Sequence, residues 1–192
     1  MARRFTLPLV LLSLPLLPLA AQVPAPEIQI AGATSAAPEA LRAGAMVLGY
    51  DKDKKLVVLR PGTNEMICLA DDPSEARWAV ACYHKDLEPF MKRGRELKAT
   101  GLSAGQRDSV RFAEITTRTL TMPDGPRMLY NLGAPADSVD TTTGLAHGAS
   151  GLPVIYMPYA TVQSTGLSDK PGNSLPWIMY PGKPWAHVMI MR

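Results

Sequence analysis

The chain has 192 residues, with 20 basic and 17 acidic side chains, three histidines and two cysteines. Its net charge of +3 owes two units to Arg3 and Arg4, so the remainder is nearly neutral and lacks the basic footprint that nucleic-acid binding requires. This length corresponds to one domain, and beyond the N-terminal stretch no run approaches the ~20 apolar residues of a membrane-spanning helix.

The opening stretch, MARRFTLPLVLLSLPLLPLAAQ, has a basic start, an apolar centre from Leu7 to Leu19 and small residues at Ala20 and Ala21. That is the pattern of a secretory signal peptide over residues 1–21. Pro8, Pro15 and Pro18 interrupt the apolar run, so cleavage near Ala21 and a secreted or periplasmic protein are expected. Residues 22–43 are rich in Ala and Pro with little periodicity and read as a flexible leader. Residues 44–192 then form a single domain.

Met46 to Tyr50 and Leu56 to Leu59 flank the charged turn Asp51-Lys52-Asp53-Lys54, which suggests a hairpin. Pro61-Gly62-Thr63-Asn64 turns the chain into Met66 to Leu69, and the three strands are expected to form an antiparallel meander. Trp78 to Tyr83 supplies a fourth strand that brings Cys82 beside Cys68. In an exported chain such cysteines pair, closing a loop worth ~3 kcal/mol in the chain-entropy account; the alternative is two inert buried thiols.

Asp86 is placed to cap a helix, with Pro89 in its first turn. Leu87, Phe90, Met91, Gly94 and Leu97 recur at helical spacing, with Lys92, Arg95 and Glu96 opposite. Gly94 on the inner stripe implies close approach of a neighbouring element. Ser103 and Gln106 have capping-box spacing and open a second helix from Ala104 to Thr116, with Val110, Ala113 and Thr117 at helical intervals. Arg127 to Leu132 reads as a strand. Long polar connections over 133–151 and 161–176 separate the apolar runs PVIYMPYA, WIMY and WAHVMIM, and Pro153 and Pro158 assign the first run to a sheet edge. The fold class is α+β: an antiparallel sheet of the N-terminal meander plus C-terminal strands, with two central helices on one face. The order of elements is similar to that of PAS-like sensory domains. The phrases YMPYATVQSTGL and PWIMYPGKPWAHVMIMR resemble stretches of uncharacterised secreted bacterial proteins, a resemblance that implies export and no particular activity.

Several chemistries are disfavoured. Asp51 to Lys55 begins like a calcium loop but has no loop glycine or distal glutamate. Gly148-Ala149-Ser150-Gly151 is a fragment of a nucleophile elbow outside a strand-to-helix frame. Ser150 and Ser164 are the serines that a secreted hydrolase would use with His187. His84, His147 and His187 lack zinc-site spacing, so no metal is assigned. Alternation in WAHVMIM puts Trp185, His187, Met189 and Met191 on one side of a strand. Imidazole and thioether together suit copper(I) and a metal-binding envelope protein, whereas methionine also fills cores. Lys92, Arg93, Arg95 and Lys98 make a solvated helix face rather than a base-stacking surface. With no phosphate loop or dinucleotide fingerprint, no cofactor is named. Tyr156, Tyr159, Trp177, Trp185 and His187 crowd near the two polar loops and are the expected binding residues of a small exported binding or sensory module for a small-molecule ligand. His187 is expected to bond internally through one ring nitrogen and to face, with the other, a pocket bordered by residues 161–176.

Overall fold

The computed structural model describes residues 23–172 and 174–190; the signal segment lies outside the described residues. Eight strands form one sheet: β1 (Met46–Tyr50), β2 (Leu56–Arg60), β3 (Met66–Leu69), β4 (Arg77–His84), β5 (Arg127–Pro135), β6 (Val154–Tyr156), β7 (Trp177–Met179) and β8 (His187–Met189). Their spatial order is β2-β1-β3-β4-β5-β6-β8-β7. All pairings are antiparallel except β1 with β3. The helices described are α1 (Pro26–Thr34), α2 (Glu39–Arg42), α3 (Glu88–Ala99), α4 (Ala104–Thr116) and α5 (Val162–Thr165). This is the α+β fold expected.

The hairpin of β1 and β2 forms as expected, its turn held by Asp51, whose carboxylate accepts from the amides of Asp53 and Lys55 at 2.9 Å. The meander does not form. After β2 the chain crosses the first residue of β1, where a Cβ on Gly62 would come within 2.7 Å of the Met46 amide nitrogen. The amides of Thr63 and Asn64 donate to the Gly44 carbonyl there. β3 therefore starts on the far side of β1 and runs parallel to it, leaving β2 at the edge with Leu56 and Val58 exposed. The edge assignment of the 153–158 run is also corrected: β6 lies between β5 and β8. Pro153 and Pro158 sit just outside its three residues, where they remove no ladder bond.

β4 is the hub. Cys82 faces Cys68 directly across β3–β4, and the two are bonded, with Cα atoms 4.0 Å apart. The Lys85 amide donates to the Glu65 carbonyl, so alternation along the ladder makes Cys68–Cys82 a non-hydrogen-bonded pair, the closer-spaced kind. The next residue, Tyr83, points to the opposite face and is 2% exposed. Its hydroxyl donates to Glu88 at 2.6 Å and accepts from Arg95 at 3.0 Å, both on α3.

The two central helices, α3 and α4, lie on one face as expected, and α1 covers the other. On the Tyr83 face, the turn before α3 buries Leu87, and α3 buries Phe90 and Leu97 and leaves Lys92 and Glu96 exposed; Met91 is half-buried. Gly94 abuts Arg111 of α4, the expected close approach. His84, not Asp86, caps the short turn before α3 through Nδ1, and Asp86 instead pairs with Arg127 at 2.7 Å. α4 carries the Ser103–Gln106 capping box, but Ala113 and Thr117 are exposed. Arg111 and Ile115 face inward in their place.

On the Cys82 face lies the largest departure. The leader assignment for residues 22–43 is wrong over its described part: Ala33 of α1 and Ala37 just after it pack on the sheet at 0% and 2% exposure against Val47, Cys68 and Cys82. Gln29 locks it, donating from Nε2 to the carbonyls of Pro24 and Tyr50 and accepting from the Tyr50 amide at 2.8 Å.

Two stability outcomes follow from this arrangement. Replacing both Cys68 and Cys82 with alanine is expected to lower unfolding free energy by about 3 kcal/mol, read by chemical denaturation. A chain starting at Pro38 is expected to lose at least about 3 kcal/mol, because deleting α1 uncovers the disulfide and Val47. A leader that packs on nothing would leave stability unchanged.

Candidate functional site

The C-terminal strands gather part of the expected aromatic set. Tyr156 of β6 lies opposite His187 of β8, and Trp177 of β7 lies opposite Met189, so side-chain alternation puts Tyr156, His187 and Trp177 on the α3/α4 face. The His187 ring is 5.0 Å from Tyr156 and 5.8 Å from Tyr180. Trp185 stacks on Phe90 at 6.2 Å and meets Phe112 edge-on at 5.9 Å. The Arg111 guanidinium covers the other side of this group, 3.9 Å from the Phe90 centroid. Trp177 lies apart from these rings along β7, and Tyr159 is 57% exposed at a left-handed turn with φ of 61°.

The helices fill the place where a ligand was expected. Phe90 and Phe112, which the reading of the C-terminal runs did not include, occupy the space over Trp185. A separate cavity of about 470 Å³ is bordered by residues 166–176, but its lining includes none of the five expected binding residues. None of the cavities described has His187 in its lining. His187 itself is 8% exposed. Its Nδ1 lies 2.8 Å from the Trp185 carbonyl, and since a carbonyl only accepts, Nδ1 carries the proton and Nε2 the lone pair. Burial pushes the imidazole pKa below its usual value, opposed by the Trp185 bond. Burial likewise pushes the Tyr156 phenol up to about 12.

Among the described residues, neither candidate serine is hydrogen-bonded to His187. The Ser164 hydroxyl closes the capping box of α5, accepting from the Thr161 amide and donating to the Thr161 carbonyl. The Ser150 backbone pairs with Gly133. No three of His, Cys, Asp and Glu come together as a metal cage among the described residues. No described helix is long and apolar enough to cross a membrane.

Another cavity lies on the opposite face. A space of about 500 Å³ lies between α1, the start of β4, the turn at 71–75 and the segment 136–144. Ile28, Ala33, Trp78, Val80 and Val139 supply apolar walls, and Asp71 and Glu75 supply its acidic end. Local chemistry fixes each wall. Asp140 accepts from the amides of Thr142 and Thr143, which bends the chain into Gly144. That glycine adopts φ of +74° and sits against the Ile28 carbonyl, a conformation and a contact that a side chain would forbid. From α1, Gly32 abuts the Gly144 carbonyl in return. Asp71 is held by the Ala79 amide, which donates to its Oδ1 at 2.8 Å. Burial pushes the Asp71 carboxyl above its usual range, against the pull of that bond, and the charges of Asp72 and Glu75 add to the rise. Lys98 pairs with Asp72 and Glu75, whereas Asp71 has no cationic partner among the described residues.

This cavity was invisible in the sequence because one wall is the segment read as a leader. Compared with protein-family models, with curated proteins and with solved structures, the chain matches none. The class that the fold defines is thus a mixed eight-stranded α+β domain with a helix layer on each face and one cavity beneath α1.

The environment of His187 gives a pH-dependent outcome. A buried imidazole whose folded-state pKa lies below the unfolded value of 6.5 contributes fully above pH 6.5 and loses that contribution as pH falls through the folded value. His187→Gln removes the titration. The stability difference between wild type and variant, measured by denaturation, is expected to shrink or reverse between pH 8 and pH 5; a constant difference would contradict the burial argument.

Proposed function

We propose that this protein is an exported, non-catalytic binding module that takes a small, largely apolar ligand into the cavity beneath α1, with a hydrogen-bond donor of the ligand directed at Asp71. The carrying observation is the cavity of about 500 Å³, whose lining combines Ile28, Ala33, Trp78, Val80 and Val139 with Asp71, a carboxylate that has no cationic partner among the described residues. Sites for small molecules have this volume and this mixture of apolar walls with a few fixed polar groups. Export is supported by the basic, apolar and small-residue order of residues 1–21 and by a disulfide, which persists in oxidising compartments. A binding role rather than hydrolysis is favoured by the bonding of Ser164 and His187 to backbone groups instead of to each other. The resemblance of the C-terminal phrases to secreted bacterial proteins agrees with export.

The test fills the cavity from its rim. Ala136 is exposed and lines the mouth, so Ala136→Trp is expected to leave unfolding free energy within about 0.5 kcal/mol of wild type. It is expected to weaken uptake of small apolar amines and alcohols at least tenfold, read by native mass spectrometry of the exported chain. Equal uptake by wild type and variant, or no uptake by wild type across such a panel, would rule the cavity out as the binding site.

A further inference from the structure

A second site, independent of the cavity, lies on the α3/α4 face of the sheet at β7 and β8. Met179 is the direct cross-strand partner of His187, and Met189 follows His187 by two positions on the same strand. Alternation therefore projects two thioethers and one imidazole from the same face. Directly opposed residues have Cβ atoms about 4.5–5.5 Å apart, and residues two apart on a strand are separated by about 6.6 Å. Methionine, with three rotatable side-chain bonds, spans such gaps readily.

The imidazole is prepared as a ligand. The Trp185 carbonyl holds the proton on Nδ1, which leaves the Nε2 lone pair directed away from that bond. This is the outer-shell arrangement that orients ligating histidines in metal sites. Nε2 has no hydrogen-bond partner among the described residues. Nor is it among the fully enclosed unpaired atoms, which are Arg111 Nε and Trp185 Nε1.

The methionines separate into two groups. Met66, at 5% exposure, lies in a hydrophobic cluster, and Met46, Met91, Met122 and Met157 pack against such clusters. Met128, Met179 and Met189 join none of the clusters described. All three are half-buried, and of them only Met179 and Met189 share the His187 face of the sheet, Met128 lying on the other by register. Both cysteines are consumed by the disulfide, so the softest donors left in the chain are thioethers. Thioether ligands need no deprotonation and select soft monovalent metals over zinc, calcium or magnesium. Met191, the fourth residue of the alternating set, lies outside the described residues and is not needed for this argument.

We propose that His187 Nε2, Met179 Sδ and Met189 Sδ form a copper(I) site of three donors. The test is titration of the full exported chain with silver(I), a redox-inert stand-in, by calorimetry. Competition with a chromophoric copper(I) chelator under reducing but disulfide-preserving conditions supplies the copper affinity. Wild type is expected to bind one equivalent. Met179→Leu and Met189→Leu, which conserve volume, and His187→Gln are each expected to weaken binding at least tenfold. Met128→Leu, on the opposite face by register, is the control and is expected to match wild type. Because the leucine variants keep the fold, verified by thermal melting, a loss of binding in them is a loss of ligands. Absence of a one-equivalent site in wild type, unchanged affinity in both leucine variants, or an equal loss in Met128→Leu would overturn the proposal.

Discussion

Cys82 and Tyr83 are adjacent in the chain and point to opposite faces of β4, and the two layers of the protein are attached through them. Cys82 is bonded to Cys68, and its sulfur lies 3.3 Å from the Ala33 carbonyl oxygen under α1. Tyr83 carries its hydroxyl into the Glu88–Arg95 pair of α3. Burial is the largest influence on the Tyr83 phenol and pushes its pKa upward, so at ordinary pH it remains a neutral donor to Glu88. A buried hydroxyl without such partners would carry a desolvation cost of about 1–3 kcal/mol. The pairing of Glu88 with Arg95 thus satisfies the tyrosine and fixes α3 over the sheet.

That geometry explains which parts of the fold were legible. Strong helical periodicity marked α3, capping chemistry marked α4, and export plus two cysteines marked the disulfide. The features that failed have physical reasons. α1 is built from PEIQIAGAT, where burial is achieved by Gly32 and Ala33 approaching other backbone closely. Small residues give no apolar period to read. Strand alternation reveals which residues share a face, but not the order in which strands lie side by side. The crossing beneath β1, set by Gly62 and the Gly44 carbonyl, therefore could not be read from it.

The inner face of α4 shows a different limit. Its buried stripe contains Arg111, a residue that hydrophobic periodicity assigns to solvent. Here the guanidinium lies over the Phe90 ring and bonds Asp108 at 2.6 Å. Attraction between a cation and a ring face is strengthened when both are desolvated, and the aliphatic stem adds packing. The ring that Arg111 covers, Phe90, also stacks on Trp185 of the expected site. The C-terminal aromatics were grouped correctly in part, as Tyr156, Trp185 and His187 do converge. What the sequence could not show was that Phe90 and Phe112 would arrive from the helices and complete the cluster as packing.

The two proposed sites use opposite faces of one sheet, and their separation follows from the strand order. Trp78 and Val80 of the cavity are on β4, and His187 is on β8, three strand spacings away across β5 and β6. At about 4.8 Å per spacing this is roughly 14 Å, with no shared side chain between the Cys82 face and the Tyr83 face. Perturbations at that distance without common partners add independently. Occupying the thioether set therefore has no direct route to the cavity beneath α1. Among the strands that border both layers, β4 carries the attachments to each, and the disulfide holds its position against β3. A shift of β4 would move the Tyr83 hydroxyl and the Ala33 contact together.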